Sequence, residues 1–298
     1  MTHPFRPHPS QPQSPLIEIG PNIWTVEGKH YIHFRPPAQP SYPYPHRAVV
    51  IRLQDNSLLI ISPIQLSSDI RAAVDALGTV KYLVAPNHLH HLYLGDWGHT
   101  YPAAKLYATP LLPSKRRDLT FHKTLFTDVP EPAWAGQIDQ CLFGSGKGFM
   151  DEMVFFHRAS GTVIFTDLIM DFDPNTFSPI AKVTTRWNQM YRHTPRGIQL
   201  ANTFNRAYLH QALQTVRAWK PEHAIIAHSP WICVDGREPV ADFLDSAFDW
   251  LKLRPAILEA VMGVFRLLLI LLVILPIHTV VVLIAEIISP RVAKWIEN

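Results

Sequence analysis

The sequence predicts an α/β fold of two mixed β-sheets covered by helices, with a membrane-embedded helix at the C-terminus. Three observations carry this. β-rich runs bracketing tight turns open the chain, strand-helix-strand units follow, and an apolar run closes it from Leu267 to Ala285 without Asp, Glu, Lys or Arg. Strands that bury one face and helices that bury one stripe must pack as layers, so this order of elements implies sheets faced by helices.

The elements follow in chain order. Leu16–Glu27 (LIEIGPNIWTVE) alternates as a strand or hairpin, and a Pro- and aromatic-rich loop occupies His33–His46. Arg47–Pro63 reads as a hairpin turning at Asp55-Asn56. Ser67 is an N-cap for a helix with Ile70, Val74 and Leu77 on one face, and Gly78 stops it. Val80–Ala85 and Lys105–Ala108 are short strands, and Glu152–Asp167 is a second hairpin turning at Ala159–Gly161. The Pro- and Asn-punctuated stretch Asp171–Gly197 is expected to be a long surface excursion. Thr203–Trp219 is helical, Glu222–Ala227 is a strand and Val240–Leu253 an amphipathic helix.

At 298 residues and 47% hydrophobic content, the chain has enough apolar material for a large core. A net charge of +3 supplies no field on the scale nucleic acid needs, so nucleic acid is not expected as a partner. Sixteen His stand against two Cys, Cys141 and Cys233, which have no zinc-ribbon spacing. Imidazole and carboxylate are therefore the metal ligands on offer. Cys233 has nothing beside it to depress a thiol pKa and reads as a small buried residue.

The run LLLILLVILPIHTVVVLIA spans roughly 30 Å as a helix, the thickness of a bilayer's hydrocarbon core. Arg254 and Arg266 precede it, and Arg291, Lys294 and Trp295 follow as interfacial anchors. Pro276 near its midpoint is compatible with a spanning helix or a re-entrant hairpin, and the alternative to either is a buried core helix, which seldom runs this long without a charge. Membrane lipid is thus an expected partner. The first residues, MTHPFRPHPSQPQSP, lack an apolar core for a secretory signal and read as a disordered leader. The resulting organisation is a leader over 1–15, a folded domain over 16–255, a membrane helix over 260–290 and a tail over 291–298, with the main domain facing the cytosol.

Three signals fall where short strands end. Ala85-Pro86-Asn87-His88-Leu89-His90-His91 follows one strand, Asp167 closes the second hairpin and His228 closes the strand at Glu222–Ala227. Strand ends hold exposed side chains rigidly, which suits ligands and catalytic groups.

On APNHLHHLYLGDW (85–97), VFFHRASGTVIFTDL (154–168) and AHS (227–229), the chain resembles the metallo-β-lactamase-like superfamily, and within it the uncharacterised DUF4336 family. The resemblance covers about residues 16 to 250 and implies a four-layer αββα sandwich. It also implies metal ions, usually two of zinc or iron, with a bridging hydroxide. The superfamily motif His-x-His-x-Asp-His places its last His on His91, its Asp on His90, its second His on His88 and its first on Pro86. A further ligand position falls near Gly148, which has no ligand atom. One metal position thereby keeps at best His88. The other retains His90, His91, Asp167 and His228, a sufficient set for one zinc or iron ion.

Remaining motifs add little. His157 lies at the far end of the hairpin from Asp167, some 15–20 Å away at ~3.3 Å per residue, and is expected at the turn rather than on a metal. Lys115-Arg116-Arg117 reads as a solvated patch, with contact to anionic lipid headgroups as the alternative, and Gly144–Gly148 lacks the spacing of a phosphate-binding loop. Asp96 is the one acidic residue close to the His motif, and no general base is identified. The expectation is a membrane-anchored hydrolase-like protein with at most one metal, acting on an ester, thioester or phosphoester of a small-molecule substrate. The alternative is a binding or scaffold protein that keeps the fold without metal.

Overall fold

The computed structural model describes residues 15–28, 45–146, 150–177, 179–229, 238–252 and 264. The chain divides into two units, Met1–Leu251 and Lys252–Asn298. All elements below belong to the first. The leader, the apolar segment 267–285, Cys233 and Gly148 lie outside the described residues. Among the described residues no helix is long and apolar enough to cross a membrane.

The first half builds a seven-stranded sheet. Strands β1 (Leu16–Gly20), β2 (Ile23–Glu27), β3 (Arg47–Arg52) and β4 (Ser57–Ile61) pair antiparallel in sequence order. Their turns use Asn22 and Asn56 at φ 62° and 59°, the left-handed region that Asn tolerates. Helix α1 (Ser68–Leu77) then crosses over to β5 (Thr79–Ala85), which lies parallel to β4. Ser67 caps α1 by accepting from the Ile70 amide, and Gly78 ends it at φ 157° with the Asn56 carbonyl where a Cβ would stand. Helix α2 (Leu94–Thr100), strand β6 (Lys105–Ala108), helix α3 (Leu112–Lys115) and strand β7 (Lys123–Thr124) complete this sheet in parallel. Helix α2 contains two glycines and was not signalled by its sequence. It is held by burying Leu94 and Trp97, whose indole donates to the Ile64 carbonyl at 2.7 Å.

The second half builds a five-stranded sheet. Strands β8 (Ile138–Phe143), β9 (Glu152–His157) and β10 (Thr162–Asp171) run antiparallel. Gly161 makes the β9–β10 turn at φ 59°. Helix α4 (Pro179–Trp187) and strand β11 (Tyr191–His193) follow, and β11 pairs back onto the end of β10. The stretch 171–197 is therefore not a surface excursion. Phe172, Phe177 and Ala181 form a small core with Met170, which tucks it against the sheet. Helices α5 (Arg196–Ala201) and α6 (Arg206–Ala218) lead to β12 (His223–His228), parallel to β10, and α7 (Val240–Ala247) closes the unit.

Alternation along the strands sorts the core into three apolar layers. Ala48 and Val50 of β3 pack outward with Ile70 and Val74 of α1 and Trp97 of α2. Val49 and Ile51 of the same strand face inward, meeting Met153, Phe155 and Ile164 of the opposite sheet. Val154 and Phe156 point the other way, onto Leu209, Leu213 and Val216 of α6 and Phe243 of α7. The period-two reversal of side chains thus gives helix, sheet, sheet, helix. Arg47, 2% exposed, ties the two sheets: its guanidinium donates to the Ile226 carbonyl at 2.9 Å, the Ser229 carbonyl at 3.2 Å and Glu27 at 2.7 Å.

Candidate metal centre

The site is assembled from the loop after β5, the end of β12 and the interior of β10: Asp167 does not close its strand as expected, because β10 runs on to Asp171. Pairing of β10 with β12 runs from Thr162↔His223 to Phe165↔Ile226, then resumes at Met170↔His228. Five steps along β10 are set against two along β12, so residues 166 to 169 bulge out of the ladder. Asp167 sits on this bulge. The amides freed from the ladder do not go unpaired: Glu152, at the start of β9, accepts from the Thr166 and Asp167 amides at 2.7 Å each and from the Leu168 amide at 3.2 Å. Burial, with the charge of Asp167, raises the Glu152 pKa above the ordinary carboxylate range, against the lowering by the Thr166 bonds.

Asn87 couples this bulge to the histidine loop. Its amide nitrogen donates to Asp167 Oδ2 at 2.7 Å and to Glu152 and Thr166 at 3.1 Å each. Its oxygen accepts from the Leu89 and His90 amides at 2.8 and 3.0 Å, an Asx turn that aims His90. The His90 ring is also held by Ser62, whose Oγ lies 2.6 Å from Nδ1. Ser62, at the end of β4, takes φ 56°, a strained conformation for a non-glycine residue that is here spent on orienting His90.

Three of the expected ligands converge. His90, Asp167 and His228 each present one ligand atom, all within 4.8 Å of one another. His90 Nε2 lies 3.0 Å from His228 Nε2 and 3.3 Å from Asp167 Oδ2, and His228 Nε2 lies 3.0 Å from Asp167 Oδ1. His228 Nδ1 is 2.7 Å from the Pro45 carbonyl, which can only accept, so Nδ1 carries a proton and Nε2 is the nitrogen turned to His90 and Asp167. A carboxylate and imidazole lone pairs this close require protons or a cation between them. The observed separations match the ~3.3 Å edge of a tetrahedron with ~2.0 Å metal–nitrogen bonds. The outer hydrogen bonds to Pro45, Ser62 and Asn87 are of the kind that orient metal ligands. The donor set therefore fits one zinc or iron ion. Burial pushes Asp167 up, but the charges and hydrogen bonds of His90 and His228 outweigh it and hold its carboxyl well below the ordinary range. Burial likewise opposes protonation of His90, and Asp167 overrides it, so the His90 pKa is raised.

Two expected ligands are elsewhere. His91 is not in the cluster: Arg116 donates to its Nδ1 and to its carbonyl at 3.1 Å each, which holds the ring beside the same cavity but away from the three ligand atoms. An accepting Nδ1 leaves the His91 proton on Nε2, and burial beside Lys115 and Arg116 lowers its pKa to about 4. His88 is buried outside the cluster, its pKa lowered by burial and by Lys115, which donates to the His88 carbonyl at 3.1 Å. Pro86 gives its carbonyl to the Met153 amide. Lys115 and Arg116 are thus braces of the histidine loop rather than a solvated patch. Asp96 is exposed on α2 and does not line the site. His157 packs at its hairpin turn against Ser160, as its position implied.

A cavity of about 320 Å³ opens on the cluster. Its floor is His90, Asp167 and His228, and Pro63, Leu89, Leu92 and Tyr93 wall it. His91, Lys115 and His46 also reach it, and His46 stacks on Tyr93 with ring centroids 6.0 Å apart. Ser62, Asn87, Glu152 and Lys115 were not signalled as site residues. The available hints were an Asn placed for an Asx turn after β5 and a Glu heading an apolar strand.

A family model described as "Domain of unknown function (DUF4336)" matches residues 22–206. Among solved structures, the chain is similar to a metallo-beta-lactamase from Pontibacter korlensis at 12% identity and a TM-score of 0.51, covering 80% of this chain and 99% of the other. It is similar to the crystal structure of VMB-1 at 12% identity and a TM-score of 0.52, covering 79% of this chain and 95% of the other. Rubredoxin oxygen:oxidoreductase from Desulfovibrio gigas aligns at 12% identity and a TM-score of 0.56, covering 81% of this chain and 62% of that one. At such identities the likeness establishes a metallo-β-lactamase-like fold and nothing finer. No curated protein matches by sequence.

Proposed function

The chain belongs to the DUF4336 family, and from that premise we propose that it is a membrane-tethered hydrolase using a single metal ion. The observation that carries this reading is the convergence of His90, Asp167 and His228 at 3.0–3.3 Å on the floor of a cavity. Three protein ligands with an open side describe a catalytic rather than a structural metal site. His90, Asp167 and His228 would hold a zinc or iron ion, which would supply polarisation of the scissile bond and a bound water of near-neutral pKa. Glu152 and Asn87 fix the bulge that presents Asp167, and Ser62 and Pro45 fix the two imidazoles. His91, locked by Arg116 with its proton on Nε2, brings a neutral donor to the same cavity for an oxygen that gains charge during attack. The bond broken is an ester, thioester or phosphoester. The apolar segment 267–285 supplies the tether, with the folded domain in the cytosol.

A non-catalytic binding role is favoured by one feature. Pro86 and His88 leave the second metal position of the superfamily pattern unbuilt. One experiment separates the readings. The full chain is fractionated, extracted from the membrane pellet with detergent and assayed for metals beside Asp167→Asn and His228→Ala. About one zinc or iron per chain, lost in both variants, is the expected result. Absence of metal from the unsubstituted protein overturns the hydrolase reading, and recovery in the supernatant without detergent overturns the tether.

A further inference from the structure

We propose that the cavity over the metal cluster seats an apolar acyl chain, so that the substrate is an ester or thioester of an apolar carboxylic acid. The bond to be broken rests on the hydrolase reading above, whereas the seat for the chain rests on the cavity walls alone. The apolar part of those walls is Pro63, Leu89, Leu92 and Tyr93, beside His46, Ser62, His91 and Lys115. Leu89 and Leu92 remain 41% and 53% exposed although they flank His90 and His91 in one short loop. Two solvent-facing leucines bracketing a buried polar cluster leave apolar area in water that a ligand's apolar surface would cover. The loop carrying them is also well braced, by Asn87 from one side and by Lys115 and Arg116 from the other, so its leucines are held in place.

Charge narrows the choice among the three bond types. Lys115 is the only Lys or Arg lining the cavity among the described residues, and one of its three donors is committed to the His88 carbonyl. Phosphoester cleavage asks for several cationic groups around the transferring phosphoryl oxygens. A carboxylic ester or thioester asks for one polarising centre and a donor to a single oxygen, which matches this site. The cavity's 320 Å³ has room for roughly ten groups the size of a water or methylene, at about 30 Å³ each. In the reaction, water adds across the acyl bond. A C–O bond forms from the attacking hydroxide, the acyl C–O or C–S bond breaks, and the proton from water ends on the departing alkoxide or thiolate, with no change of oxidation state.

The test is calorimetric titration of the full chain, stripped of metal by a chelator, with straight-chain carboxylates from butanoate to octanoate. The unsubstituted protein is compared with Leu89→Ser/Leu92→Ser, which shares any partition of the probe into surrounding detergent. Affinity is expected to rise about fourfold per methylene, as for a buried CH₂, and the rise is expected to fall below about 1.5-fold in the double variant. Equal slopes in the two proteins overturn the proposal. A second arm measures zinc content and hydrolysis of p-nitrophenyl esters of the same acids. A chain-length slope without zinc or turnover leaves the acyl seat standing and sinks the hydrolase reading. Zinc and turnover without a slope do the reverse.

Discussion

Glu152→Gln tests how the metal centre is held, because one carboxylate serves the whole bulge that carries Asp167. Four donors aim at it: the Thr166 amide at Oε1, and the Asp167 amide, the Leu168 amide and Asn87 at Oε2. Gln has a single accepting oxygen. Placed at the Oε2 position, it keeps three of the bonds as neutral ones and turns an NH₂ toward the Thr166 amide. An orphaned buried amide costs about 1–3 kcal/mol, and bonds to a charged acceptor are worth about twice those to a neutral one. Removing the repulsion between Glu152 and Asp167 offsets part of this, leaving a net loss of about 2 kcal/mol. The bulge then relaxes, and outer partners of this kind are worth about 10- to 100-fold in metal affinity. Urea unfolding and zinc competition against a chromophoric chelator measure the two effects. If Glu152→Gln keeps both the unfolding midpoint and the zinc affinity within twofold, Glu152 does not hold the site and the account of the bulge is wrong.

Two further predictions concern the scaffold. His157 is 3% exposed, and burial depresses its pKa to about 4, so it is neutral in the fold and protonates near 6.5 when unfolded. The unfolded state therefore binds more protons between those values, and His157 withdraws up to about 1.4 kcal/mol of stability per pH unit as pH falls from 6.5 toward 4. His157→Gln is expected to flatten the acid limb of a denaturant-midpoint profile, and an unchanged limb would show that His157 is not its source. Arg47→Met removes the guanidinium that pairs with Glu27 and strands the Ile226 and Ser229 carbonyls on either side of His228. A loss of about 2–4 kcal/mol is expected by thermal unfolding, with Arg47→Lys only partly restoring it. A melting temperature within one degree of the unsubstituted protein would rule out this cross-sheet tie.

The local elements were legible because local rules govern them. The cap at Ser67 and the hairpin turns at Asp55-Asn56 and Ala159–Gly161 depend on neighbours in sequence, and each formed as read. Strands whose apolar pattern is broken, such as β8 with Asp139 and Gln140, were not signalled, since a strand buried on both faces owes its place to its partners. Helix α2, with two glycines, exists because Trp97 and Leu94 have a core to enter.

The same division runs through the site. Sequence alone determined that His228 ends a β run and that His90-His91 follow one, but it read Asp167 as a strand end, whereas β10 runs on to Asp171 and carries Asp167 on an interior bulge. It did not determine which of two adjacent histidines turns inward. Neighbouring residues in a loop point in different directions, and the choice is made by groups remote in the chain: Ser62 and Asn87 capture His90, while Arg116 captures His91. Nor could spacing reveal that Glu152 would feed its charge to the backbone of Asp167, or that Lys115 would brace a histidine loop 27 residues away. The sequence sets which side chains are available and where the β runs lie. Only the packing of the two sheets brings these side chains within hydrogen-bonding distance, because those contacts have no local energy to announce them.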